Sequence, residues 1–297
     1  MFKLVERHKE IYKYYNKKFD NRTKHDFEPL FINNNMINEQ DLLKQLKANN
    51  VDAKQFFYNA VIAKATFSLA STIQYLSGHY YIQEFSSQLC SRALLKPTKD
   101  KVNILDMCAA PGGKTINLSV LAPNSKIDAL EKHRARLAGL YTNLNRMMIG
   151  NVDVHHIDAV ECPSLKKKYD YVLLDAPCSG NFMNERQWYD KRSLKDFTNR
   201  QKIQKELLLS ALKVMDKNST LVYSTCSLEP EENEAVIDFA LKHFDIIDIK
   251  DKVIIENSVP AMTSFQNNKY NPKVKKARRI LHNSKFTPFF IAKLKKK

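Results

Sequence analysis

Four apolar runs in this chain close on a carboxylate, at Asp106, Glu131, Asp158 and Asp175, and a fifth closes on Ser224-Thr225-Cys226. After the first acid comes a loop, Met107-Cys108-Ala109-Ala110-Pro111-Gly112-Gly113-Lys114-Thr115. The chain has only six glycines, and two of them are adjacent here. Such a loop needs unusual backbone angles or a close approach of backbone to a ligand. Two phosphate-binding readings fail on spacing. A P-loop needs a glycine at the position of Cys108, although Gly113-Lys114-Thr115 fits its end. A dinucleotide fingerprint, G-x-G-x-x-G, is also missing.

The acids carry the argument further. Runs of this kind that alternate with helical patterns form a parallel sheet, and ligands bind at the carboxyl rim of its strands. One acid at that rim is explained by helix capping, but four in succession are not. Glu131, on the second strand, is suited to ribose hydroxyls, and Asp158, on the third, to an exocyclic amine. A carboxylate-rich rim also favours a cation. S-adenosyl-L-methionine has a ribose, an exocyclic amine and a sulfonium, and it is the expected cofactor.

The elements that must position these residues are legible in outline. Strands are expected at 102–107, 126–131, 152–158, 171–176 and 221–225, with helices at 133–148 and 196–215. A late run, 286–294, reads as a strand returning to the sheet edge. Before them, a helix at 5–18, a strand at 30–33, a helix at 42–46 and strands within 56–67 make a small α/β appendage. The expected division is 1–77 for an N-terminal RNA-binding appendage and 78–297 for the catalytic domain, with Gly78 at the boundary.

Charge and cysteine usage bound the function. The net charge is +16, and the last 41 residues hold eleven Lys and Arg with no Asp or Glu. A basic tail of this kind implies a polyanionic partner. The five cysteines, Cys90, Cys108, Cys162, Cys178 and Cys226, show no CxxC pair, so neither a disulfide framework nor a metal site is expected. There is no membrane-length apolar run and no signal-like start. A cytoplasmic monomer without membrane association is expected.

Three motifs resemble the S-adenosylmethionine-dependent RNA cytosine-5 methyltransferases. They are Asp106 to Thr115, then Asp175-Ala176-Pro177-Cys178-Ser179-Gly180, then Ser224-Thr225-Cys226-Ser227 followed by Pro230-Glu231-Glu232-Asn233-Glu234. Tyr81-Ile82-Gln83-Glu84 with Ser86-Ser87, and Phe289 to Leu294, are similar to further segments of that family. The resemblance implies a Rossmann-like class I methyltransferase sheet with helices on both faces and an RRM-like N-terminal appendage. It implies Cys226 as the nucleophile that adds to cytosine carbon 6, and Cys178 as the group that assists release. Asp175 would bond the Watson–Crick edge of the base, with Lys114 positioning the base or Asp175. Cofactor contacts would fall on Cys108, Ala109, Ala110, Pro111, Gly112, Gly113, Lys114, Glu131, Arg136, Asp158 and Asp175. Two departures stand out: Phe31 replaces a frequent arginine, and Arg279-Ile280-Leu281-His282 lacks the usual proline before histidine.

RNA is the expected partner, with tRNA preferred for so compact a chain and rRNA as the runner-up. DNA methylation through Cys178 and a catalytically silent RNA-binding assembly factor are the rival readings. A helix beginning near Pro230 is expected to aim its positive end at Cys226, and Trp188-Tyr189 is expected either to stack on RNA or to pack in the core.

Overall fold

The computed structural model describes residues 2–20, 25–183, 185 and 187–297, with Phe2 described by its backbone alone. Helix α1 (Phe2–Tyr14) precedes a small unit of β1 (Glu28–Ile32), α2 (Glu39–Ala48), β2 (Asp52–Phe57), β3 (Ala60–Lys64), α3 (Ile73–Leu76) and β4 (Tyr80–Ile82). The strands pair in the order β2-β3-β1-β4, all antiparallel. This is the RRM-like β-α-β-β-α-β arrangement. Helix α2 starts where Asn38 caps it, its side chain accepting from the Asp41 amide. It buries Leu42 and Leu46 against Leu30, Ile32, Val61 and Tyr80 on one face of the sheet.

The other face is covered too. Phe31 packs against Ala109, Ala110 and Ile116, and Ala60 against Phe85 and Leu89. An RNA-recognition motif stacks bases on its open sheet face, and here the centre of that face is occupied by the rest of the protein. Phe31, standing where an arginine was looked for, is 4% exposed and backs the 106–114 loop.

The small unit and the expected boundary do not coincide. Strand β4 lies beyond Gly78 yet completes the small sheet against β1. Helix α1 lies elsewhere, with Ile11 and Tyr12 packed on Leu228, Met262 and Phe265. Gly78 has a φ of +75°, and a Cβ there would run into the Arg146 carbonyl oxygen, so only glycine fits this turn.

The large unit follows α4 (Phe85–Leu94) with β5 (Asn103–Asp106), α5 (Gly113–Leu121), β6 (Lys126–Leu130), α6 (Arg134–Arg146), β7 (Val152–His155) and β8 (Tyr169–Asp175). Then come α7 (Trp188–Lys191), α8 (Leu194–Lys213), β9 (Met215–Thr225), α9 (Glu234–Ala240), β10 (Phe244–Ile247) and α10 (Lys252–Glu256). Short strands β11 (Val259–Pro260), β12 (Ser264–Phe265), β13 (Asn268–Lys269) and β14 (Arg278–Ile280) lead to β15 (Phe289–Lys296). In the main sheet β7-β6-β5-β8-β9 run parallel, and β15 is antiparallel to β9. Alternation sorts the strand residues onto two faces. Ile104, Leu173 and Val222 meet α4 and α5, while Leu105, Leu174 and Tyr223 meet α8 and α9.

Two expectations need correction here. The late strand is not at an edge: β15 has β9 on one side and both β14 and β10 on the other. Nor is the basic C-terminal segment a tail. It forms sheet, with Arg279 buried and Lys296 bonded to the Leu212 and Met215 carbonyls. The apolar residues between its charges, Phe289 to Leu294, have a core to fill, which a solvated tail does not.

Among the described residues, no helix is long and apolar enough to cross a membrane.

Candidate active site

After β5 the chain leaves for β6 and β7 on one side, then returns to place β8 and β9 on the other. The carboxyl ends of β5 and β8 therefore flank the switch point of the sheet, where a crevice opens. The 106–114 loop and Asp175 meet there. With Tyr81 and Gln83 arriving from the small unit, they line a cavity of about 220 Å³.

Asp106 folds the loop back on itself. It accepts from Thr115 Oγ1 at 2.7 Å and from the Cys108 amide at 3.3 Å, and burial pushes its carboxyl up to about 6. Gly112 takes the left-handed φ of +109° at the entry to α5. Gly113 lies under Gln83, where an added Cβ would sit 3.0 Å from Nε2. The two glycines thus answer to two needs, one a turn and the other a close approach. The side-chain Oε1 of Gln83 is buried at this cavity and has no protein partner.

The other rim acids are held by side chains of their own. Glu131 is buried, accepts from the His133 amide at 2.7 Å and forms an ion pair with Arg136 at 3.2 Å. Arg136 also donates to the Ala110 carbonyl, so it joins Glu131 to the loop. Asp158 caps the 3₁₀ turn 159–165 through the Val160 amide and pairs with Lys132. Burial pushes the Asp158 carboxyl up, but the Lys132 ammonium and the Val160 N–H draw it below the ordinary range. Asp175 accepts from Lys114 Nζ and from Ser224 Oγ, each at 2.7 Å. Burial lowers the affinity of Lys114 for its proton, and Asp175 more than restores it, so Lys114 stays charged.

Strands β8 and β9 are parallel neighbours with Asp175 opposite Ser224. The two loops that follow them emerge side by side, and the Cys178 and Cys226 sulfurs lie 3.2 Å apart. The hydrogen bond to Cys226, then burial, push the Cys178 thiol well above its ordinary value. Cys178 therefore holds its proton tightly. Burial pushes Cys90 and Cys162 up to about 12 and Cys108 well above its ordinary range, which leaves those three as unreactive thiols.

Several supports of the cysteine loops were not foreseen. Glu232 is fully buried and accepts from Ser179 Oγ, from the Ser179 amide at 2.9 Å, from Ser227 Oγ at 2.9 Å and from Gln204 at 3.0 Å. Trp188 is 1% exposed and donates its indole N–H to the Ser179 carbonyl at 2.8 Å, so it supports the Cys178 loop and does not stack on RNA. Arg192 donates to the same carbonyl. The helix expected at Pro230 begins only at Glu234. Residues 229–233 form turns in which Asn233 bonds the Ser227 carbonyl and the Thr225 hydroxyl, and this replaces the expected helix end near Cys226.

Burial pushes Glu232 up to about 7, against the pull of its Ser179, Ser227 and Gln204 donors. Its ordinary value is 4.5, so the folded chain holds this proton more tightly than the unfolded chain. The resulting stability is full below pH 4.5 and is lost as pH rises towards 7. The titratable groups facing it, Cys178 and Tyr223, are both pushed up and stay neutral throughout that window. Between pH 5 and 8, the melting temperature of Glu232→Gln is therefore expected to rise relative to wild type. Parallel melting curves of the two proteins across that range would refute this.

The family model described as "16S rRNA methyltransferase RsmB/F" matches residues 92–295. The chain is 35% identical over 244 residues to the human 28S rRNA (cytosine(4447)-C(5))-methyltransferase, covering 80% of this chain and 30% of that protein. It is 36% identical over 176 residues to the tRNA (cytosine(72)-C(5))-methyltransferase of Pyrococcus horikoshii, covering 59% of this chain and 44% of that one. It therefore spans less than half the length of these curated relatives. A crystal structure of a methyltransferase homolog protein from Pyrococcus horikoshii superimposes with a TM-score of 0.81 at 33% identity, covering 92% of this chain and 88% of that one. The sheet is that of a class I methyltransferase, and the chain belongs to the RsmB/F family of S-adenosylmethionine-dependent RNA cytosine-5 methyltransferases.

Proposed function

We propose that this protein transfers a methyl group from S-adenosyl-L-methionine to carbon 5 of cytosine in tRNA. The observation that carries the reading is the pair of cysteines, 3.2 Å apart, beside the Lys114–Asp175 ion pair.

The residues at the rim fit the cofactor. The buried Glu131 carboxylate is suited to ribose hydroxyls, Asp158 to an exocyclic amine, and the unpartnered Gln83 oxygen to an N–H donor. Cys108, Ala109, Ala110, Pro111, Gly112 and Gly113 would hold it by backbone and packing, with Arg136 fixing Glu131 and Asp175 closing the far side. When bound, the cofactor supplies an electrophilic methyl group on a sulfonium.

Carbon 5 of cytosine is a poor nucleophile until a thiolate adds at carbon 6. Cys226 supplies that thiolate and forms the C6–S bond, while Asp175, held by Lys114 and Ser224, bonds the Watson–Crick edge and favours a proton on ring nitrogen 3. Covalent catalysis of this kind divides one hard step into easier ones. Cys178, its sulfur 3.2 Å from that of Cys226, serves the second half of the reaction. There the C5–H and C6–S bonds break, Cys178 assists removal of the proton, and Cys226 departs.

The base must leave its stack to reach these sulfurs. Exposed lysines and arginines, including Lys191, Arg200, Lys202, Lys273 and Lys275, offer phosphate contacts. Within the appendage expected at 1–77, the covered centre of the small sheet leaves the outlying Lys54 and Lys64 for that role. The tRNA enzyme of Pyrococcus horikoshii supports tRNA as the substrate, and the human 28S rRNA enzyme supports rRNA as the second reading. The protein is incubated with labelled cofactor and unmodified tRNA or ribosomal RNA transcripts, and 5-methylcytosine is mapped. Methylation of tRNA is expected. Methylation of ribosomal transcripts alone would replace the substrate, and methylation of neither would remove the activity.

A further inference from the structure

We propose that Glu232 is a positioning residue that sets the spacing of the two cysteines and thereby governs release of the product. The inference rests on the division of labour between Cys226 and Cys178 given above.

The backbone does not hold the sulfurs together. Among the described residues, the last main-chain bond joining the two strands as they leave the sheet runs from the Ala176 amide to the Ser224 carbonyl. Beyond it, Cys178 and Cys226 ride on separate loops. Both loops are tied to Glu232. Ser179, next to Cys178, gives its amide and its hydroxyl; Ser227, next to Cys226, gives its hydroxyl. Gln204 of α8 closes the carboxylate from behind. The two hydroxyls also meet each other at 3.3 Å. Glu232 touches neither sulfur in these bonds, so it acts through the serines. Asn181 of the first loop also donates to the Cys226 carbonyl at 2.8 Å, and a buried acceptor shared by both loops adds to that single tie. Displacements of about 1 Å cost on the order of 100-fold in rate.

An amide can replace this carboxylate without breaking the bridge. Its oxygen, in the place of Oε2, accepts from the Ser179 amide and from Gln204 as before, and its NH₂, in the place of Oε1, donates to the two hydroxyls. Alanine cannot bridge. The test follows covalent protein–RNA adduct formation and decay in single turnovers, for wild type, Glu232→Ala, Glu232→Gln, Ser227→Ala and Cys178→Ala. Glu232→Ala is expected to form adduct at close to the wild-type rate and to release it about tenfold more slowly. Glu232→Gln is expected to release it near the wild-type rate. Ser227→Ala keeps Glu232 and its three other donors; it is expected to fall between them, and it decides the matter if Glu232→Ala does not fold.

Formation and release slowed by the same factor would mean a merely structural residue and would overturn the proposal, as would unchanged release. Equal slowing in Glu232→Gln and Glu232→Ala would mean that charge, not spacing, matters, and would also overturn it. Failure of Cys178→Ala to trap adduct would strike the underlying division of labour instead, and the inference with it. Trapping by Cys178→Ala with normal release in Glu232→Ala would strike this inference alone.

Discussion

Cys226→Ala is expected to lose methyl transfer by about 10⁴-fold or more and to form no covalent adduct with RNA, as removal of a nucleophile does elsewhere. Cys178→Ala is expected to behave in the opposite sense. It should still attach to RNA through Cys226, transfer the methyl group, and then remain attached, visible as a retarded band on a denaturing gel. The asymmetry is that of the proposed roles, in which Cys226 makes the first bond and Cys178, 3.2 Å away, serves the second half of the reaction. Wild-type methylation by Cys226→Ala would sink the assignment. Adduct trapped by Cys226→Ala in place of Cys178→Ala would exchange the two roles. A catalytically silent assembly factor would bind RNA without either effect.

Arg279→Leu is expected to lower stability by about 3–5 kcal/mol, the largest loss from one side chain that the fold implies. Arg279 is buried on β14 and grips Glu234 through both carboxylate oxygens, at 2.5 and 2.6 Å, while a third donor bonds the Leu228 carbonyl at 2.8 Å. Removing the guanidinium strands a fully buried carboxylate and an orphaned carbonyl. Burial lowers the Arg279 affinity for its proton, but attraction to Glu234 outweighs it, so the guanidinium stays charged. The double variant Arg279→Leu with Glu234→Leu is expected to recover part of the loss, because no unpaired charge is left. Urea unfolding of the three proteins measures this. A loss under about 1 kcal/mol for Arg279→Leu would mean that the pair adds nothing over leucine.

Local signals and long-range pairings divide what the amino-acid order discloses. Most of the parallel strands were legible because they are buried apolar runs ended by a charged or polar residue, although β7 is only partly buried. The loop was legible because glycines are rare and two stand together. Lys114 with Asp175, and Cys178 beside Cys226, follow once those strands are parallel neighbours. Glu232 could not be chosen from among Glu229, Glu231, Glu232 and Glu234 by type or spacing. Their partners differ by position: Glu229 takes Arg7 and His8, Glu231 takes Arg7, and Glu234 takes Arg279. Such pairings span up to 224 positions in the chain and leave no periodic trace. Pro230 looked like the first residue of a helix, but the side chain of Asn233 offered the backbone a turn instead. Trp188 was ambiguous because an indole suits a core and a nucleobase equally. Its buried N–H partner, the Ser179 carbonyl, lies in the motif nine residues before it, and that proximity was the available signal.

The place of β15 has a consequence for synthesis. The strand that delivers Cys226 is complete at Thr225, but its second neighbour is not made until 289–296. While the ribosome adds the intervening residues, β9 has one flank unpaired, an open template for other chains. The main sheet closes only when the nascent chain has released Phe289 to Lys296, so a product stalled before that point keeps this flank of β9 open and adhesive, a client for holdase chaperones.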